Sequence, residues 1–183
     1  MTSIKGPGAP QTFDGTGLRI GIVHARWNMQ IIGPLVEGAK KSLLAAGVAE
    51  DHITVHTVPG SYELPYAVQR SALFLDADLS KAPSSPPSSA AKPFDALIAI
   101  GVLIKGETMH FEYIADAVTH GLMRIQLDSG VPVIFGVLTV LTEEQGLERA
   151  GQGTKMHNHG EDWGSAAVEL GCKRRDWAGG VVV

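Results

Sequence analysis

Only one of the 183 residues is a cysteine, and no more than 6% are aromatic. A lone Cys172 cannot form an internal disulfide, so the framework that small secreted domains rely on is excluded and a reducing cytosol is the expected compartment. Cys172 falls within a helical pattern, where a small buried side chain is expected. With so few rings, a core must be built from Val, Ile, Leu and Ala. No apolar run approaches the roughly 18 residues of a membrane span, and the opening residues lack an apolar signal core. An excess of positive charge is missing as well. Lys and Arg number 15 against 19 Asp and Glu, a net charge of -4. That balance offers phosphate polymers no general attraction, so neither membrane nor nucleic acid is an expected partner.

What remains is the pattern of a soluble domain, 44% apolar and 19% charged, of a length that suits one domain rather than two. Residues 1–17 are rich in Gly and Pro and are expected to form a flexible arm; residues 18–183 are read as a single domain. "LRIGIVHAR" predicts a first strand. After it, Ile32, Val36, Ala39, Leu43 and Ala46 recur at helical spacing, with Asn28 as a candidate N-cap and Gly47 as a stop. Pro34 is compatible with that helix only in its first turn.

"HITVHTV" predicts a second strand and "ELPYAVQRSALFL" a second helix with Pro65 near its start. The Pro- and Ser-rich segment at about 76–93 lacks periodicity and is expected to be a mobile surface insertion. "FDALIAIGVLI" reads as a strand covered on both faces, followed by a helix over "MHFEYIADAVTHGLMRIQLDS". Then come a strand, "VPVIFGVLT", a short helix, "EEQGLERA", and a last helix over "WGSAAVELGCKRRDW". Such alternation predicts an α/β fold, a parallel sheet sandwiched between helical layers, with ligands beyond the carboxyl ends of the strands.

Four loops gather at that edge: "HARWN", "VPGSYE", "GVLIKGETMH" and "VLTVL". They bring Trp27, Glu63, Thr108 and His110 within reach of one ligand. In "KGETMH", Gly106 permits close backbone approach and the N–H groups of a starting helix suit an anion such as phosphate. Glu107 there serves equally well as a helix-start carboxylate, in which case its side chain turns away from the anion. Arg149 offers a planar cationic fork for a phosphate, or an ordinary cation near a helix end. His110, with an ordinary pKa of about 6.5, suits proton transfer in either direction, and Glu112 could orient it or simply face solvent. Trp27 presents a flat face to a heteroaromatic ring or packs; Glu63 accepts from ligand hydroxyls or begins a helix. The "HNH" pair in "KMHNHGEDW" lacks a third well-spaced ligand, so a polar loop is expected there rather than a metal site.

Six ordered segments, "GIVHARWN", "VPGSYELPYAVQ", "IGVLIKGETMHFEYIAD", "GVPVIFGVLT", "EEQGLERAG" and "HNHGEDWGSAAVEL", together resemble the lumazine synthase family, with the last resembling its fungal branch. The likeness is colinear from about residue 18 to 171. It implies a flavodoxin-like three-layer α/β/α sandwich with a four-stranded parallel sheet, assembled as a homopentamer with active sites between subunits. It also implies the penultimate reaction of riboflavin biosynthesis, without a cofactor or metal. In that reaction 5-amino-6-(D-ribitylamino)uracil condenses with 3,4-dihydroxy-2-butanone 4-phosphate, giving 6,7-dimethyl-8-ribityllumazine, phosphate and water.

By motif, the resemblance makes His110 the proton-transfer residue and Trp27 the ring that stacks on the pyrimidine. Ser61, Tyr62 and Glu63 would meet the ribityl chain, and Val102, Leu103 and Ile104 would line the ring. Glu107 and Thr108 fall at the phosphate turn, Phe135 would close the pocket from an adjoining subunit, and Arg149 would bind phosphate. Where many bacterial members carry a second phosphate-side lysine, this chain has His159, and the 76–93 insertion is not part of the common pattern. A Trp27-lined slot could alternatively hold riboflavin in a non-catalytic carrier. A phosphate hydrolase on the same fold would lack an evident nucleophile or metal cluster.

Overall fold

The computed structural model describes residues 11–73 and 93–181. Most of the expected arm and nearly all of the expected insertion lie outside these residues. Within the described part, the stretch from Phe13 to Gly17, read from sequence as part of that arm, is tied to the fold. Gly15 N–H donates to Ala46 O at 2.7 Å, and the Cys172 thiol donates to Asp14 O at 3.3 Å. Cys172 is accordingly half-buried rather than buried.

Four strands, β1 (Ile20–Ala25), β2 (Ile53–Val58), β3 (Ala96–Ile104) and β4 (Val133–Val140), form one sheet in the order β2-β1-β3-β4. All three pairings are parallel. The chain therefore crosses over between strands by helices: α1 (Met29–Ala45), α2 (Leu64–Leu73), α3 (His110–Ser129), α4 (Glu143–Arg149) and α5 (His159–Ala178). α1 packs on α5 against one face of the sheet, and α2 packs on α3 against the other. The outcome is the three-layer α/β arrangement that the alternating pattern predicts. β1 is buried throughout and β3 through Val102. Each such Ile, Leu or Val contributes about 1.5–3 kcal/mol by leaving water. Among the described residues no helix is long and apolar enough to cross a membrane.

Two sequence expectations about helices change. Pro34 sits in the second turn of α1, not the first. A proline there removes the N–H that would bond to Gln30 O, and the Gln152 side-chain amide donates to that oxygen instead, at 2.8 Å. The Asn158 amide likewise donates to Pro34 O at 2.8 Å. The last helix begins at His159, four residues before the expected start, so the "HGEDW" end of the expected polar loop is helical. Asn158 Oδ1 accepts from Gly160 N–H at 2.8 Å, and Glu161 and Asp162 occupy the first turn. A polar cap followed by acids is a helix start; the glycine at 160 obscures it in the sequence. That glycine is required by packing, since a Cβ there would lie 2.0 Å from Leu35 O of α1.

The start of β3 is held by arginines. Arg175 donates through Nε and Nη2 to the two carboxylate oxygens of Asp95, each at 2.7 Å. The same Asp95 accepts from Arg19 N–H at 2.7 Å. Arg174 bridges Phe94 O and Gly130 O at 2.9 Å each.

Candidate active site

The carboxyl ends of β1, β2 and β3 open onto one cavity of about 580 Å³. Trp27, Ser61, Tyr62, Glu63, Val102, Leu103, Ile104, Thr108 and His110 all line it, so nine of the residues singled out from sequence share a single space. Glu107, Phe135 and Arg149 do not line it.

Trp27 follows β1 on a turn whose next residue, Asn28, has φ 65°. Left-handed backbone of this kind is accessible to Asn because its short polar side chain bonds locally. Here that side chain does not cap α1, as expected from sequence; its Nδ2 donates to Val102 O at 3.0 Å. The Trp27 turn and the end of β3 are thereby tied together across the mouth of the cavity. Trp27 itself is 71% exposed, a large apolar face left largely uncovered among the described residues.

After β2, Pro59 and Gly60 lead into a short 3-10 turn, Ser61–Glu63, that opens α2. Glu63 Oε2 accepts from Gly60 N–H at 2.9 Å, so this carboxylate begins a helix while also facing the cavity. Ser61 is 5% exposed, and its Oγ has no hydrogen-bond partner among the described residues. A Cβ on Gly101 would lie 2.6 Å from that Oγ; glycine in β3 is what allows the hydroxyl to nest against the strand.

β3 ends in the turn that delivers His110 as the first residue of α3. Thr108 Oγ1 accepts from His110 N–H at 3.4 Å, one of the first-turn donors that a helix cannot satisfy internally. Glu112 does not orient His110: it pairs with Lys105. Phe111 and Ile114 line the cavity as well. Neither was singled out from sequence, though Ile114 lies one helical turn from His110, a spacing that places both on one face.

The cavity is apolar along Val102–Ile104, aromatic at Trp27, and carries one imidazole at a helix N-terminus. Such a space can hold a flat ring, hydrogen-bond a polyol through the Ser61–Glu63 turn and accept an anion near Thr108. The sequence pattern of the 6,7-dimethyl-8-ribityllumazine synthase family matches residues 17–175. This chain belongs to that family. It is 60% identical to a protein of that name from Pyricularia oryzae, with 96% of this chain and 97% of the relative covered. It is 53% identical to one from Schizosaccharomyces pombe, with coverage of 94% and 98%. A bacterial namesake from Leifsonia xyli is 40% identical over 92% and 93%.

In this member of the lumazine synthase family, Glu107 stands between the cavity-lining Gly106 and Thr108 without lining the cavity itself, while Phe135 and Arg149 lie on other elements. Phe135 is on edge strand β4, level with Ala99 and short of Val102, and is exposed. Arg149 ends α4, where its Nη1 donates to Gln145 O at 2.9 Å. Beside it, the rings of His157 and His159 stack with centroids 5.3 Å apart, and His157 Nε2 meets Asp162 Oδ2 at 2.6 Å. Burial pushes the His159 imidazole below its ordinary pKa; Asp162 opposes the shift, while His157 and Arg149 add to it. Parallel stacking does not converge the two rings on one point, and among the described residues no three His, Cys, Asp or Glu are grouped to hold a metal ion.

Proposed function

We infer that this chain catalyses the condensation of 5-amino-6-(D-ribitylamino)uracil with 3,4-dihydroxy-2-butanone 4-phosphate to 6,7-dimethyl-8-ribityllumazine. The observation that carries the reading is the placement of Trp27 and His110 on one cavity in a chain that belongs to the family named for that product. Trp27 stacks on the pyrimidine, whose other edge lies along Val102, Leu103 and Ile104. Ser61 Oγ, otherwise without a partner among the described residues, suits a ribityl hydroxyl, as do Tyr62 and Glu63.

The 5-amino nitrogen attacks the ketone carbon, the net transfer of its two protons to the carbonyl oxygen lets that oxygen depart as water, and an imine remains. Loss of the adjacent C–H proton with cleavage of the C–O bond to phosphate expels phosphate as an enol forms. The enol tautomerises to a second ketone, and the ribityl-bearing nitrogen closes the ring with loss of a second water. His110 carries the protons in the first two stages. Holding two reactants in register supplies much of the rate, and the imidazole adds the acid-base part.

Phosphate rests at the Glu107–Thr108 turn, on backbone N–H groups and the Thr108 hydroxyl. Because Phe135 and Arg149 do not line their own chain's cavity, we assign them to the cavity of a neighbouring copy in a homopentamer. Exposed Tyr62, Tyr66, Met109, Tyr113, Met123 and Leu127 on the α2 and α3 side supply apolar surface for such an assembly. A free thiol at Cys172 suits a reducing compartment, and we assign the enzyme to the cytoplasm.

The test is turnover of the two substrates above the uncatalysed rate, together with the mass of the assembly in solution. Multiple turnovers from a particle five times the mass of one chain are expected. Saturable riboflavin binding with no product would point instead to a flavin carrier.

A further inference from the structure

The turn that presents His110 is weakly held by its own bonds. Gly106 through His110 are exposed, and a Cβ on Gly106 would meet nothing within 4 Å. The two hydrogen bonds at the turn are long: Thr108 Oγ1 with His110 N–H at 3.4 Å, and Met109 O with Tyr113 N–H at 3.3 Å. One stronger contact spans it. Lys105, whose own N–H donates to Val140 O at 2.9 Å, sends its ammonium to Glu112 Oε1 in the first turn of α3. Lys105 Nζ also lies 5.5 Å from the centre of the Phe111 ring, a distance at which a cation is attracted to an aromatic face.

One oxygen of this partly exposed carboxylate gives up water. Glu112 Oε2 is buried without a hydrogen-bond partner among the described residues, an arrangement that costs free energy unless the charge is matched nearby. Neither Lys105 nor Glu112 lines the cavity, yet Ile104 and Gly106 flank Lys105 on the cavity wall, and His110 and Phe111 precede Glu112 on it.

We propose that Lys105 and Glu112 are positioning residues for the condensation: their ion pair closes the loop between the end of β3 and the first turn of α3 and so fixes the heading of the His110 imidazole. The pair acts through His110 and does not touch substrate. This rests on the function proposed above and adds to it how the catalytic turn is held. The geometry being held is demanding, because a displacement near 1 Å at a proton-transfer group reduces rate by up to about 100-fold.

The experiment is steady-state kinetics of the full-length enzyme, with wild type assayed first. A silent wild type would reject the proposed function itself. Given an active wild type, Lys105→Met is expected to lower kcat about tenfold while leaving the KM of the ribitylaminouracil within about twofold. Lys105→Arg, which keeps the charge, is expected to restore at least about half of kcat. Glu112→Gln, nearly isosteric, is the second variant and is expected to fall with Lys105→Met; it also serves if the lysine variant does not fold. A kcat within about twofold of wild type in either folded charge-removing variant would overturn the proposal. So would a loss of kcat that tracks thermal destabilisation and is not recovered by Lys105→Arg.

Discussion

The side-chain amide of Gln152 donates to the main-chain oxygen of Gln30 at 2.8 Å, taking the place of the helical N–H that Pro34 lacks. A residue from the loop after α4 thus completes the hydrogen bonding of a helix more than a hundred positions earlier. Gln152→Ala leaves that oxygen without the amide, and about 1 kcal/mol of stability is the expected loss. In a Pro34→Ala background the ordinary helical donor returns, so the same substitution should cost less. Urea unfolding of the four proteins of this double-mutant cycle measures the coupling.

Asp95 collects three donors from Arg175 and Arg19 at the head of β3. Asp95→Asn keeps the shape and one acceptor but removes the charge that holds the arginine fork. With Arg175 partly exposed, solvent screening limits the effect, and a loss of about 2 kcal/mol is expected. Chemical denaturation gives the value directly, and kcat should stay near wild type because Asp95 is remote from the cavity.

His110 and Arg149 separate kinetically if they serve in the stated roles. His110→Ala is expected to reduce kcat about 100-fold without abolishing turnover, because approximation of the reactants persists. Arg149→Ala should chiefly raise the KM of the butanone phosphate. Undiminished turnover in the first variant, or an unaltered Michaelis constant in the second, would remove that residue from the mechanism.

The pH dependence of stability has a defined sign at His159. Burial, aided by His157 and Arg149, holds its folded pKa below 6.5, whereas the unfolded imidazole protonates in its ordinary range. The unfolded state therefore binds more protons between those two values, and stability falls as pH drops below 6.5 toward the folded pKa. Above that window the contribution is fully present. His159→Asn should flatten this part of the profile, measured as urea midpoints at about pH 7.5 and about pH 5.5.

The sheet was legible in the sequence because its strands are short aliphatic runs bounded by Gly, Pro and polar turns, and a buried parallel strand has few other ways to read. Trp27, the Ser61–Glu63 turn and His110 were legible for a related reason: each follows directly on a strand, so topology alone gathers them at one edge. What could not be read depends on contacts distant in sequence. The proline of α1 looks like a boundary until Gln152 is seen beside it. Asn28 has the composition of a cap, but its left-handed backbone turns the amide toward β3. The first turn of α5 looks like a loop because the glycine at 160, chosen for contact with α1, weakens the helical pattern. Glu112 is the same case at the site: a carboxylate two residues from a histidine reads equally as an orienter or as a solvated face, and neither reading foresees its pairing with Lys105.

The clamp on Asp95 has a use outside catalysis. Because the leading end of β3 is moored from Arg19 and from the carboxyl-terminal helix, its alignment beside β1 is secured by contacts at its own head.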